Sequence, residues 1–101
     1  MSKASKPSEA TKTIKVARDL RIAGAAAAYG AMRSAAKGPE GRVTLDGRQV
    51  EKVDAAGIQA LLAGHRLLAR AGKVVSWAGC STALKSAAAL LGLAETLELP
   101  R

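Results

Sequence analysis

Aromatic side chains are almost absent from this chain: one Trp, one Tyr and no Phe, 2% of 101 residues. A core must then be built in thin, closely packed layers of Leu, Ile, Val and Ala, and the stacking platforms that nucleic-acid binding uses are missing. Cysteine is limited to Cys80, which excludes an intrachain disulfide and points to a reducing compartment. Histidine is limited to His65, which lies mid-helix in an apolar stripe, so no Ser/His/Asp or Cys/His catalytic set is visible, and with no second His there is no metal-ligand cluster around it. A Gly-rich phosphate loop of the required spacing is also lacking. No run of about 18 apolar residues occurs, which argues against a membrane span. The N-terminus lacks the apolar segment of a signal peptide, so the expected location is cytoplasmic.

What the chain does have is positive charge, a net +8. Lys3, Lys6 and Lys12 against Glu9 give residues 1–12 a net +2 and leave +6 for the rest. The remaining cations are scattered, from Arg18 and Arg21 through Arg33 and Lys37 to Lys73 and Lys85, with no dense basic run. This pattern describes a well-solvated surface and does not support a nucleic-acid partner. An acidic protein or an anionic membrane surface is compatible with it.

Residues 1–12 are rich in Ser, Lys, Ala and Pro and bury little, so the sequence predicts a disordered tail there and a single domain over 13–101. Thr13–Val16 alternates at period two, as a strand with one buried face does. Leu20–Ile22 repeats the alternation, predicting a hairpin with the first. Gly24 opens an Ala-rich helix over 25–36, with Ala28, Met32 and Ala35 on one face and Gly30 as a weak point. Gly38–Gly41 is a breaker, Arg42–Leu45 a strand, and 48–52 a connector in which Val50, like the following Val53, points inward.

A second helix is predicted over 55–71, with Ile58, Leu61, Leu62, Leu68 and Ala69 on its apolar side and His65 within the stripe as a satisfied core or boundary residue. Asp54 stands as its N-cap and Gly72 as its terminator. Val74–Ala78 is the most continuous apolar run and reads as a buried strand, with Trp77 as core filler whose N–H is satisfied. Ser81 caps a third helix over 82–91. Cys80 therefore lies near a helix N-terminus, where a thiol pKa can fall, but it has no partner and reads as structural. Residues 94–99 fit a strand or a short helix. The order strand, strand, helix, strand, helix, strand, helix predicts an α/β fold with helices mainly on one face of a four- or five-stranded mixed sheet.

Asp54-Ala55-Ala56-Gly57 by its spacing alone describes a well-capped core helix first and a binding site second. An Asp cap followed by two small residues and Gly leaves a bare helix start that another surface can approach. This stretch resembles the signature of the STAS domain, the fold of anti-sigma factor antagonists and of sulfate-transporter tails. Val43–Gly47 resembles the strand before the signature, Gly72–Trp77 the strand after it, and Ser81–Leu91 with Leu91-Gly92-Leu93 the last helix and its ending. The likeness covers roughly residues 13–99.

The resemblance implies a non-enzymatic interaction module with no cofactor and no catalytic residues. It would bind a protein partner through Asp54, Ala55, Ala56, Gly57 and Gln59, with Gly24, Cys80 and Ser81 nearby by fold analogy. In anti-sigma factor antagonists the residue before the signature Gly is a Ser or Thr that a partner kinase phosphorylates. Here that position is Ala56, so the switch has no hydroxyl to act on. The partner implied is an anti-sigma factor, another kinase-like protein or a chemotaxis-type signalling protein. The alternative is a cytoplasmic STAS subunit docking on the ATPase of an inner-membrane phospholipid-trafficking ABC transporter. That class usually carries Thr where this chain has Ala55. A homodimer through a sheet edge or helix face stays open, and no residues specify a nucleotide or lipid.

Overall fold

The structure, a computed structural model, describes residues 10–100. The elements are β1 (Thr11–Lys15), β2 (Asp19–Leu20), α1 (Ile22–Lys37), β3 (Arg42–Gly47), β4 (Lys52–Val53), α2 (Ala55–Arg70), β5 (Val74–Cys80) and α3 (Thr82–Leu90). The expected tail falls largely outside the described residues, and β1 begins at Thr11, two residues before the expected strand.

Three strands form a parallel sheet in the order β1-β3-β5, and β2 pairs with β4 in a separate parallel ribbon. The α/β architecture is the expected one, but among the described residues the main sheet has three strands and no antiparallel pair. The expected hairpin does not form. β1 runs beside β3, and β2, only two residues long, pairs Asp19 with Lys52 and Leu20 with Val53. The alternation of Leu20 to Ile22 suggested a longer strand; instead the chain turns into α1 at Ile22, three residues before the expected start.

One face of the sheet is buried. Ile14, Val43 and Leu45 point into the core, where they meet Met32 and Ala28 of α1, Ile58, Leu61 and Leu68 of α2, and Leu84 of α3. Each fully buried Leu, Ile or Met contributes about 1.5–3 kcal/mol relative to exposure. The opposite face carries Thr13, Thr44 and Ser76, with the Thr44 and Ser76 hydroxyls 3.3 Å apart. β5 is therefore not buried on both faces. It is an edge strand whose burial alternates, with Val74 53% exposed. Leu45 lies opposite Trp77 but Asp46 opposite Gly79, so Ala78 is an extra residue that bends this edge.

The helices meet closely because Gly64 of α2 abuts the Met32 side chain; a Cβ at 64 would run into its sulfur. The expected stripe of α2 is buried at Ile58, Leu61, Leu62 and Leu68, but Ala69 faces solvent. Gly72 ends α2 at φ +79°, the left-handed conformation that an L side chain resists. Residues 93–99 form neither a strand nor a regular helix. They turn back so that Leu97 is fully buried and its carbonyl accepts a 2.9 Å hydrogen bond from Trp77 Nε1. This satisfies the indole as the sequence predicted. His65, largely buried, has Nε2 3.1 Å from Glu98 Oε1. Among the described residues no helix is long and apolar enough to cross a membrane.

Candidate functional site

The start of α2 follows from its cap. Asp54 has an extended backbone, and its Oδ1 accepts a 3.1 Å hydrogen bond from the Gly57 N–H. This satisfies one of the donors that a helix start leaves free. Ala55 and Ala56 follow as the first two helical residues, and both are exposed, as is Gln59. Gly57 turns inward: a Cβ there would run into the Leu20 carbonyl. Of the five residues expected to meet a partner, Asp54, Ala55, Ala56 and Gln59 face solvent, and Gly57 seats the helix start on β2.

α1 repeats this construction. It opens Ile22-Ala23-Gly24, and a Cβ at Gly24 would run into the Asp19 carbonyl. Each helix thus presents two residues outward and a glycine inward, and the two glycines pack against the two residues of β2. Because β2 and β4 run parallel with Leu20 beside Val53, the starts of both helices emerge side by side. They border a shallow concavity of about 490 Å³ lined by Asp19, Arg21, Ile22, Ala23, Gly24 and Asp54. Gly24 joins the site as expected from fold analogy. Cys80 and Ser81 do not line it.

The rim of this concavity is charged and its wall is apolar. Arg21 Nε donates to Asp19 Oδ1 at 2.8 Å and its terminal nitrogen to Asp19 Oδ2 at 2.7 Å, with the Arg21 N–H on Oδ1 at 3.2 Å. These bonds hold the Asp19 carboxyl down at about 2. Arg21 also lies within the field of Asp54. No side chain caps α1, so its first turn keeps N–H donors at the surface. Ile22 is 78% exposed, an apolar side chain that lines the concavity with Ala23 and Asp54.

Ile22 and Arg21 were not legible as site residues, because the Leu20–Ile22 alternation assigned them to a strand. The signal that identifies them is the repeat of two residues and a glycine, Ile22-Ala23-Gly24 and Ala55-Ala56-Gly57, at the same offset after each short strand.

Away from this surface, Ser81 caps α3 through Oγ, which accepts from the Leu84 N–H at 3.1 Å. Cys80 precedes it, and burial pushes the thiol up to about 11 against the pull of Lys85, in keeping with a structural cysteine. Asp46 and Arg48 repeat the Asp19–Arg21 arrangement at the end of β3. There Asp46 Oδ1 accepts from the Arg48 N–H and Nε at 3.1 and 3.0 Å, and Oδ2 from its terminal nitrogen at 2.9 Å. Among the described residues no three His, Cys, Asp or Glu side chains come together to hold a metal ion.

No curated protein matches the chain. The family model described as Mlab, STAS domain matches residues 4–100, nearly the whole length. The chain belongs to this family of STAS domains.

Proposed function

We propose that this STAS domain is a non-enzymatic regulatory module that binds a protein partner through the paired starts of α1 and α2. The observation that carries this reading is that Ala55, Ala56 and Gln59 stand exposed at the capped start of α2, while Arg21, Ile22, Ala23 and Asp54 line the adjoining concavity. Small residues let a partner backbone come close, the uncapped first turn of α1 offers it N–H donors, and Ile22 supplies an apolar anchor. A phosphorylation switch at the residue before Gly57 is unavailable, since Ala56 has no hydroxyl. Binding is then set by partner concentration or by a change on the partner. An anti-sigma factor, another kinase-like protein or a chemotaxis-type signalling protein fits the regulatory reading, and the alternative partner, a transporter ATPase subunit, would use the same surface.

Ala56→Glu tests the surface. It places a carboxylate at the second helical position, where the helix dipole favours negative charge, so folding is retained. The charge stands at the exposed start of α2 and imitates a phosphorylated family member. Affinity capture from source-cell extract, membrane fraction included, should recover a soluble signalling partner with the wild type and not with Ala56→Glu. Recovery of an ATP-binding transporter subunit by the wild type alone moves the function to transport with the surface unchanged. Identical captures by both proteins remove the surface.

A further inference from the structure

The opposite end of the helix pair carries a second feature that the α2 start does not use. α1 and α2 contain no Asp or Glu, yet Arg33 and Lys37 lie in the second half of α1, and Arg66 and Arg70 in the second half of α2. All four are exposed, and among the described residues none takes part in any of the four ion pairs. Arg33 with Lys37 and Arg66 with Arg70 are like charges four residues apart, a spacing that destabilises a helix slightly. The last-turn cations Lys37 and Arg70 suit the helix dipole; Arg33 and Arg66, a turn earlier, gain little from it. Two touching helices thus carry four cations that form no ion pair among the described residues.

Between them runs a groove of about 330 Å³ lined by Arg33, Ala36, Lys37, Leu67, Arg70 and Ala71. Its floor is apolar, from Ala36, Leu67 and Ala71, and its rim is cationic. We propose that this groove docks an acidic peptide segment of a protein partner, seating one apolar side chain on Leu67 and placing carboxylates on Arg33, Lys37 and Arg70. Charge complementarity requires an anion, and the shape selects a peptide over a membrane. Of the large apolar residues of α2, Ile58, Leu61, Leu62 and Leu68 are turned into the core, and Leu67 alone, recessed between the cations, is a narrow target for insertion between lipids. A flat bilayer would touch only the rim.

The groove lies along α2 about 20 Å from Asp54, given 1.5 Å of rise per residue. One domain would therefore hold two partners, or two parts of one, at once. The inference does not depend on the α2-start surface.

The test uses a pool of short fluorescein-labelled peptides, each with a single Leu or Phe flanked by Asp and Glu, and the same pool with every acid replaced by its amide. Saturable anisotropy with the acidic pool, and backbone shift changes centred on Arg33, Ala36, Leu67 and Arg70, are expected. Arg33→Glu turns a like-charge pair with Lys37 into an opposite-charge one, so the fold is kept, and binding should weaken roughly tenfold. Arg70→Glu should do the same, whereas Ala56→Glu should leave peptide binding unchanged. Equal binding of the amide pool, absence of saturation, or shift changes elsewhere would overturn the proposal. So would tighter binding of phosphatidylglycerol vesicles than of any acidic peptide.

Discussion

Two glycine-to-alanine changes, one in each long helix, should move stability in opposite directions. Gly30 is exposed in the middle of α1, and a Cβ built there meets nothing within 4 Å. Gly30→Ala should therefore stabilise the fold by about 0.5–1 kcal/mol, the helix preference of Ala over Gly. Gly57→Ala gains part of the same preference, but its Cβ runs into the Leu20 carbonyl and comes within 2.9 Å of Leu20 Cγ. Leu20 cannot retreat: it is fully buried and its strand pairs with β4. Overpacking against such a neighbour costs about 1–3 kcal/mol, occasionally more, so a net loss of about 1–2 kcal/mol is expected. Urea denaturation of the three proteins measures both effects; in Tm, each kcal/mol corresponds to about 4–8 °C for a domain of this size. If Gly57→Ala were neutral or stabilising, α2 would not be seated on β2, and the side-by-side helix starts that form the proposed surface would lose their basis.

Acid should destabilise the fold through two carboxylates. Arg21 holds Asp19, and Arg48 holds Asp46, at about 2. A depressed folded pKa adds stability above the unfolded value, near 4, that is lost as pH falls toward 2. The urea midpoint should drop across that window, and Asp19→Asn with Asp46→Asn should flatten the drop. The Cys80 thiol, pushed up to about 11 by burial, should alkylate far more slowly in the native protein than in urea at the same mildly alkaline pH. Equal rates would contradict its burial. Leu97→Ala should cost about 2–5 kcal/mol, as for other buried Leu truncations. It should also shift Trp77 emission to the red, because the segment that accepts the indole N–H is loosened.

The parts of the fold that were legible in sequence are those set by local chemistry. Asp54 and Ser81 cap helices because a short polar side chain reaches the third N–H onward, and Gly72 ends α2 because it accepts a positive φ. The stripes of α1 and α2 were readable from their period, apart from Ala69, which sits just outside the buried arc. Strand pairing was not legible. β1 and β2 are adjacent and alternate alike, which suits a hairpin, yet the backbone partner of each lies about thirty residues on, fixed by how α1 and α2 pack. The apolar run of β5 suggested burial on both sides, but the sheet ends there and its outer face stays open. Of the site, the α2 half was written in Asp54–Gly57. The α1 half depends on β2 lying beside β4, which only the tertiary structure supplies.

The central claim is that the bare helix starts at Ile22-Ala23 and Ala55-Ala56 contact a partner. The most direct measurement is the dissociation constant of the captured partner for wild type and for Ala56→Glu, with urea midpoints recorded on the same samples. A weakening of about tenfold or more at an unchanged midpoint is the predicted result, since an interfacial charge left unpaired costs more than 1.4 kcal/mol. An unchanged dissociation constant would show that the α2 start is only a capped helix end and that the partner binds elsewhere.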